Sequence, residues 1–233
     1  MESLTTLLAT NPYPGRGIVI GLTPDGQNAV ISYFVMGRSV NSRNRVLTMR
    51  EDGAVITKAY DERLVQDPSL IIYPALRTFG KYQTVVTNGD QTDTILQLLQ
   101  RGQSFEAALR TRSYEPDAPN FTPRVSGLVD VERGLSYRLS VLRERKGTTI
   151  RSFFEYAGIP GEGHFIHTYL GDGHPLPSFE GEPVPVGIMN DPDDWMQMLW
   201  SSLNTSNRVA LVTRHIRLSD GTAETRIANQ LGD

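Results

Sequence analysis

The chain has 233 residues, of which 39% are hydrophobic and 21% are charged, so it can bury a substantial core. It contains no cysteine, which excludes disulfides, thiolate zinc sites and a cysteine nucleophile. The net charge of −3 argues against a general nucleic-acid-binding protein, and no apolar run approaches the roughly 18 residues of a membrane span. The N-terminal stretch "MESLTTLLATNPYPGRG" lacks the features of a signal peptide, so the sequence predicts a soluble cytoplasmic protein that binds neither nucleic acid nor membrane.

The first third of the chain is typical of strands and hairpins. Six short β-branched stretches are separated by Gly, Asp and Asn, namely "RGIVIGLT", "NAVISYFVMG", "VLTMRED", "GAVITKAY", "LIIYPALRTF" and "YQTVVTNGD". The apolar spacing then changes, and "TDTILQLLQRG" predicts a helix that ends at Gly102. A second helix is predicted in "SFEAALRTRSY", with Ser104 as its cap.

The second half returns to strands in "PRVSGLVDV", "YRLSVLRER" and "TIRSFFEYA". The Gly- and Pro-rich segment from Gly158 to Pro185 predicts a long loop region, and "NDPDDWMQMLWSSLN" predicts a helix with Asp191 as N-cap. The last predicted strand is "RVALVTRHIRL". Because strands occur in groups with helices between them, the sequence predicts an α+β fold, and the absence of repeats or linkers favours one domain over residues 1–233.

The stretch "GRSVNSRNR" places Arg38, Arg43 and Arg45 close together after a predicted strand. Such a cluster is compatible with a solvated loop, since most charged residues are exposed. It is also compatible with an anion site, because the guanidinium group matches a phosphate with two hydrogen bonds. The two interpretations remain open from these residues alone.

The stretch "VVTNGDQTDTI" joins a predicted strand to a predicted helix and contains Asn88-Gly89 at the junction. Asn-Gly is a hairpin signal, yet the residues that follow open a helix instead of a return strand. Asn88, Asp90, Thr92 and Asp93 therefore gather where backbone N–H groups are free to bind a ligand. A simple turn and a binding site are equally compatible with this pattern.

The stretch "RSYEPDAPNFTPRVSG" contains Glu115, Asn120 and Arg124 among three prolines. Proline restricts its own backbone and that of the preceding residue, so the pattern predicts a stiff, irregular loop. A rigid polar loop is also a suitable support for a carboxylate that must be held in place.

Three histidines in "HFIHTYLGDGH", His164, His167 and His174, raise the question of a metal site. In a strand, positions three apart face opposite sides, so the side chains of His164 and His167 would not converge on one ion. We therefore interpret them as loop histidines and predict no metal site.

Four of these stretches, "GRSVNSRNR", "IIYPALR", "TNGDQTDTI" and "YEPDAPNFTPR", resemble in their order and separation the archaeal-type inosine monophosphate (IMP) cyclohydrolases. The resemblance covers most of the span from Tyr13 to Gly127 and fades beyond it. It implies a four-layer αββα sandwich resembling N-terminal-nucleophile hydrolases, but without the terminal nucleophile. The sequence begins Met1-Glu2-Ser3 and shows no evident processing site that would expose one.

The resemblance implies an enzyme of the cyclic amidine hydrolase class that acts in the dehydrating direction, at the last step of purine biosynthesis. It would convert 5-formamidoimidazole-4-carboxamide ribonucleotide to IMP without a cofactor. The implied catalytic residues are Arg45, Tyr73 and Glu115. The expected substrate-binding residues are polar side chains and one glycine of the same stretches, with one arginine near the N-terminus: Arg16, Arg38, Asn88, Gly89, Asp90, Asp93, Asn120 and Arg124.

Two other functions remain open at this point, an amidohydrolase of the same fold and a non-catalytic protein that binds purine nucleotides. The expected partner is in each case a small molecule, and for the cyclohydrolase it is a purine nucleotide precursor. The sequence leaves the oligomeric state open, a homo-oligomer included.

Overall fold

The computed structural model describes residues 3–65 and 72–232, which form an α+β fold with two antiparallel sheets. The described helices are α1 Leu4–Thr10, α2 Val40–Arg43, α3 Gln91–Gln100, α4 Phe105–Arg110 and α5 Pro192–Ser202, with a 3₁₀ turn at Glu62–Leu64. The described strands are β1 Arg16–Leu22, β2 Asn28–Met36, β3 Arg45–Met49, β4 Val55–Ala59, β5 Pro74–Phe79, β6 Gln83–Thr87, β7 Arg124–Asp130, β8 Ser136–Arg145, β9 Thr148–Ala157, β10 Glu162–His167, β11 Val184–Gly187, β12 Arg208–Arg217 and β13 Ala223–Asn229. In the described part of the chain, no helix is long and apolar enough to cross a membrane.

The six-stranded sheet has the order β11-β10-β1-β2-β12-β13. The seven-stranded sheet runs in chain order from β3 to β9. Every described strand pair is antiparallel, so strands that follow one another in the chain are neighbours in the seven-stranded sheet, and α3 and α4 lie between β6 and β7.

The central core lies between the two sheets. Successive side chains of a strand face opposite sides, and β2 shows this alternation over its length. Ile31 and Tyr33 pack with Val125 and Leu139 of the other sheet, whereas Phe34 belongs to a second cluster on the far side of β2. Each sheet is therefore apolar on both faces.

Helices cover these outer faces. Leu8 of α1 and Trp195 of α5 pack in the cluster on the six-stranded sheet, and the Trp195 indole donates a hydrogen bond of 2.8 Å to Ser32 Oγ of β2. Ile95 of α3 and Phe105 of α4 pack in a separate cluster on the seven-stranded sheet. The β6–α3 junction is thereby fixed on one side of the central core.

The α+β class and the helices with local start signals are confirmed. Ser104 accepts a hydrogen bond from Ala107 N, and Asp191 accepts bonds from Asp193 N and Asp194 N, as expected of N-caps. The strand predicted in "LIIYPALRTF" is β5 from Pro74 onward, while its first two residues, 70 and 71, lie outside the described residues.

The long loop predicted from Gly158 to Pro185 is wrong over part of its length, because residues Glu162–His167 form β10 in the interior of the six-stranded sheet. Its backbone pairs with β1 on one side and β11 on the other, so contacts distant in sequence outweigh the loop-like composition around it. Four further elements, α1, α2, β11 and β13, were not predicted from the sequence.

Candidate active site

A cleft of about 270 Å³ opens at one end of the sheets. It is lined by residues from the start of β1, the β2–β3 connection, the α4–β7 loop and the loop after β10, namely Tyr13, Arg16, Arg38, Ser39, Asn41, Ser42, Arg45, Glu115, Asp117, Asn120, Thr122, Tyr169 and Leu176. Five of the predicted site residues therefore line this one cleft: Arg16, Arg38, Arg45, Glu115 and Asn120.

The β2–β3 connection folds into the short helix α2, which a capping box closes. Ser39 Oγ accepts from Ser42 N at 3.1 Å, and Ser42 Oγ accepts from Ser39 N at 2.9 Å. A Cβ on Gly37 would lie only 2.6 Å from the Ser42 carbonyl, so glycine permits this tight return of the chain. The compact connection holds Arg38 and Arg45, which flank it, on the same cleft.

Arg38 lies at the exposed end of the cleft. Its side chain is 33% exposed and forms an ion pair with Asp172 of the loop after β10. Its guanidinium carbon also lies 4.9 Å from the ring centroid of Tyr13, a cation–π distance. Arg38 therefore connects two walls of the cleft mouth.

Arg16 and Arg45 lie deeper, at 8% and 4% exposure. Arg16 Nε and the Nε and Nη1 atoms of Arg45 are buried and have no hydrogen-bond partner among residues 3–65 and 72–232. Burial lowers the pKa of Arg16, but Glu115 and the surrounding tyrosines raise it by more, whereas burial and the charge of Arg16 lower the pKa of Arg45. Two buried cations with unused donors are a strong indication of an anionic or oxygen-rich ligand.

Glu115 is 4% exposed and its backbone N–H donates to Thr122 O at 2.9 Å across the α4–β7 loop. Among the described residues, its carboxylate forms no ion pair within 4.0 Å and accepts no hydrogen bond. Burial raises the pKa of Glu115, and the positive charges of Arg16 and Arg124 only partly offset this rise. The carboxylate is therefore more basic than an ordinary glutamate and available to a ligand.

Arg124 and Gly89 lie behind Glu115 and do not line the cleft. Arg124 Nη1 donates to Gln91 Oε1 at 2.7 Å and lies 2.7 Å from Asp90 Oδ1. A Cβ placed on Gly89 would lie 2.7 Å from Arg124 Nη1 and 3.3 Å from Glu115 Oε1. The glycine therefore allows the β6–α3 junction to approach both side chains.

The remaining junction residues have structural partners. Asn88 Nδ2 donates to Pro123 O at 2.8 Å, and its Oδ1 accepts from Val125 N and Gln91 Nε2, both at 2.9 Å. Asp90 is paired with Arg112 and Arg124. The side chain of Asn88 is thus committed to holding the α4–β7 loop against the junction, instead of lining the cleft.

Asp93 lies farther away, on the surface of α3, where it pairs with Arg77 at 3.2 Å. Both side chains are about half exposed, at 51% and 41%. The spacing that placed Asp93 near the start of the helix also points it outward, away from the cleft wall.

Tyr73 lies behind the arginines, not among the residues that line the cleft. It is 3% exposed, and its hydroxyl group is 2.7 Å from the hydroxyl group of Tyr33. Both tyrosines act electrostatically on Arg45. Tyr73 is therefore linked to the cleft wall by its electrostatic effect on Arg45.

Several residues of the cleft wall were not predicted as site residues from the sequence, chiefly Tyr13, Asp117, Thr122 and Tyr169. Asp117 and Thr122 belong to the rigid loop that carries Glu115, so their closeness to Glu115 in the sequence could have identified them as site residues. Tyr169 follows a strand that the sequence did not reveal, and no local pattern connects it to Tyr13, on which its ring stacks at 5.9 Å.

Within residues 3–65 and 72–232, no group of three or more His, Asp or Glu side chains has the arrangement to hold a metal ion. His164 and His167 belong to β10 and not to a loop. His164 Nδ1 is 2.6 Å from Tyr137 Oη in the space between the sheets, whereas His167 stacks on Phe165 at 4.8 Å. The two rings therefore use opposite faces of the strand.

A family model described as IMP cyclohydrolase-like protein matches residues 13–221, which is most of the chain. The match begins at Tyr13 of the cleft wall and extends well beyond Gly127, so the relationship is not confined to the first half. The comparison with curated proteins returned no match.

Proposed function

The chain belongs to the IMP cyclohydrolase-like protein family, and we propose that it is an IMP cyclohydrolase that closes the purine ring of 5-formamidoimidazole-4-carboxamide ribonucleotide. The observation that carries the proposal is the set of buried, unpaired charges in one cleft wall, Arg16, Arg45 and Glu115. An enzyme that must both remove a proton and stabilise a developing oxyanion needs these two kinds of group close together.

The reaction joins the carboxamide nitrogen to the formyl carbon of the same molecule. The carboxamide nitrogen loses a proton as the bond forms, and the formyl oxygen gains negative charge in a tetrahedral intermediate. The carbon–oxygen bond then breaks as the formamido nitrogen loses its proton and forms a double bond to the same carbon. The oxygen leaves as water with two protons, which balance the proton lost by each nitrogen. No change of oxidation state occurs. Because both reacting groups belong to one substrate, holding them in the attacking geometry supplies much of the rate enhancement.

Glu115 is the proposed general base. An amide nitrogen is a poor nucleophile, and its proton must be taken as the carbon–nitrogen bond forms. Burial raises the pKa of Glu115, which makes the carboxylate a stronger base. The positive charges of Arg16 and Arg124 partly compensate its negative charge. Its carboxylate has no competing partner among the described residues, so it is free to meet the substrate N–H.

Arg45 is the proposed donor to the formyl oxygen, with Arg16 beside it. Their buried, unpartnered guanidinium nitrogens would satisfy the oxyanion in surroundings from which water is largely excluded. We propose that Tyr73 acts on this step through Arg45, because the structure places its hydroxyl group against Tyr33 behind the arginine.

Arg38 is the proposed phosphate ligand at the cleft mouth. It is the most exposed arginine of the lining, and a phosphate would compete with Asp172 for its guanidinium group. Asn120 lines the same cleft but already accepts from Leu176 N at 3.2 Å through Oδ1, which leaves its amide N–H groups for the substrate. We propose that Arg124, which lies outside the cleft lining, stabilises the negative charge of Glu115 through its own positive charge.

The two packed sheets with helices on both outer faces support the proposal of a four-layer αββα sandwich like that of N-terminal-nucleophile hydrolases. The central core is shared by both sheets, which supports the proposal of a single domain. A cytoplasmic location would place the enzyme with its nucleotide substrate.

The test is a spectrophotometric assay of IMP formation from the formylated precursor by the purified protein. We expect turnover by the wild type and its loss in Glu115→Gln, which keeps the shape of the side chain. An exposed position remote from the cleft lining, Arg50→Ala, serves as the control and should retain full activity. Binding of IMP without turnover would instead show a non-catalytic nucleotide-binding protein and overturn the proposal.

A further inference from the structure

Three side chains of the cleft wall form a hydrogen-bonded chain that the proposed chemistry does not use. Asp117 accepts from Thr122 N at 2.6 Å and, through its other oxygen, from the Thr122 hydroxyl group. The oxygen of that hydroxyl lies 2.5 Å from Tyr169 Oη. All three residues line the cleft, and Thr122 is completely buried.

The direction of this chain follows from counting protons. An ionised carboxylate only accepts, and a threonine hydroxyl has one proton, so that proton is committed to Asp117. Tyr169 must then donate its own proton to Thr122 Oγ1. Burial raises the pKa of Tyr169 to about 12, so the phenol keeps this proton at neutral pH. The lone pairs that remain on the Tyr169 oxygen can therefore only accept from a bound molecule.

Tyr169 also has a defined position along the cleft. Arg38 stacks on Tyr13 at the exposed mouth, and the ring of Tyr169, which is only 2% exposed, also stacks on Tyr13. Arg16 follows, since it interacts electrostatically with both Tyr169 and Glu115. The acceptor thus lies between the proposed phosphate ligand and the proposed reaction centre, which is where the sugar of a nucleotide lies between its phosphate and its base.

We propose that Tyr169, oriented by Asp117 through Thr122, accepts a hydrogen bond from a ribose hydroxyl group and makes the cleft selective for ribonucleotides over deoxyribonucleotides. This inference rests on the proposed function, because it assumes that the nucleotide lies along the cleft with its phosphate at Arg38. It assigns a specificity role to a residue that does not take part in the bond changes.

The experiment compares binding of IMP, 2′-deoxy-IMP and 3′-deoxy-IMP to the wild type and to Tyr169→Phe by isothermal titration calorimetry. One hydrogen bond to the ribose is expected to make IMP bind about tenfold more tightly than the analogue that lacks the relevant hydroxyl. In Tyr169→Phe this difference should disappear, because the phenylalanine ring has no acceptor. Tyr82 lies outside the cleft lining, so Tyr82→Phe should keep the wild-type preference for IMP over the deoxy analogue.

The outcomes separate this inference from the proposed function. If the wild type binds all three nucleotides equally, or if Tyr169→Phe keeps the full preference for IMP, the role of Tyr169 is refuted while the ring-closing function stands. If the wild type binds none of the three, the proposed function and the inference fall together. Equal binding of the three nucleotides by the wild type refutes the role of Tyr169 even if the variant does not fold.

Discussion

The hydroxyl groups of Tyr33 and Tyr73 lie 2.7 Å apart and join β2 of one sheet to the segment that precedes β5 of the other. Both side chains are almost fully buried, at 0% and 3% exposure. Burial raises the pKa of Tyr33, so this phenol remains neutral at every physiological pH. Both tyrosines act electrostatically on Arg45, so the residues that link the two sheets also influence an arginine of the cleft wall.

Removing either hydroxyl group leaves the other buried without its partner, so Tyr33→Phe and Tyr73→Phe should each cost about 1 to 3 kcal/mol of unfolding free energy. The double variant should cost less than the sum, since it leaves no orphaned hydroxyl. Urea denaturation of the four proteins measures the coupling. Strictly additive losses would mean that the two hydroxyl groups do not bond to each other in solution.

Arg45→Ala should lower kcat by about a hundredfold or more, on the scale of a lost oxyanion donor. Arg45→Lys should recover only part of the activity, because an ammonium group cannot reproduce the geometry of a guanidinium. Steady-state kinetics of the two variants provide the measurement. An unchanged kcat in Arg45→Ala would remove Arg45 from the reaction.

Arg38→Ala should mainly raise KM, because a contact with the phosphate is present in both the ground state and the transition state. Arg50→Ala is the matched control, since it removes an exposed arginine whose nearest carboxylate is 3.8 Å away. The assignment of Arg38 to the phosphate does not survive if both variants have the KM of the wild type.

The sequence predicted those features whose cause is local. The helices α4 and α5 begin at their own N-cap residues, Ser104 and Asp191, and α3 ends just before Gly102, so their positions could be predicted from short stretches. The strand β10 could not, because its stability depends on pairing with β1, about 150 residues earlier in the chain. Tyr169 belongs to the cleft for the same nonlocal reason.

The candidate site was predictable in part. The arginine cluster and the proline-rich loop each contribute side chains to the cleft, here Arg45 and Glu115. The polar residues of the β6–α3 junction were equally suggestive, but the fold itself uses the hydrogen bonds of Asn88. A sequence shows which groups are able to bind a ligand, whereas only the packed structure shows which of them remain free.

The pH dependence of activity should reflect Glu115. The base must be ionised, and burial raises its pKa, so kcat/KM should fall on the acid side at a higher pH than an ordinary glutamate would give. Glu115→Gln should abolish this limb together with most of the activity. A pH–rate profile in which the acid limb stays in the ordinary glutamate range would contradict the assignment.

The same shift affects stability. Because the pKa of Glu115 is higher in the folded protein than in the unfolded chain, the contribution of this group to stability is greatest below the unfolded pKa and declines as the pH rises through the folded pKa. Glu115→Gln lacks that loss, so its unfolding midpoint in urea should exceed that of the wild type at neutral pH and approach it in acid. Equal midpoints at both pH values would show that the carboxylate is not held in a buried, disfavoured state.

The β6–α3 junction packs tightly against Arg124 and Glu115 at Gly89, and Gly89→Ala tests whether this packing sets the position of Glu115. The added Cβ would lie 2.7 Å from Arg124 Nη1 and from Gln91 Oε1, and 3.3 Å from Glu115 Oε1. Arg124 cannot yield freely, because Nη1 is already bonded to Gln91 and paired with Asp90. We expect a loss of about 1 to 3 kcal/mol in unfolding free energy from overpacking. Displacement of the base should lower kcat about tenfold to a hundredfold.

Gly187→Ala is the matched control for this substitution. Gly187 ends β11 and has an ordinary backbone conformation, and no heavy atom of the described part of the chain lies within 4 Å of the position that a Cβ would take. It should therefore change neither stability nor kcat, as measured by urea denaturation and the IMP assay. If Gly89→Ala unfolds earlier but turns over at the wild-type rate, the junction stabilises the fold without positioning the carboxylate, and the base must be held by the α4–β7 loop alone.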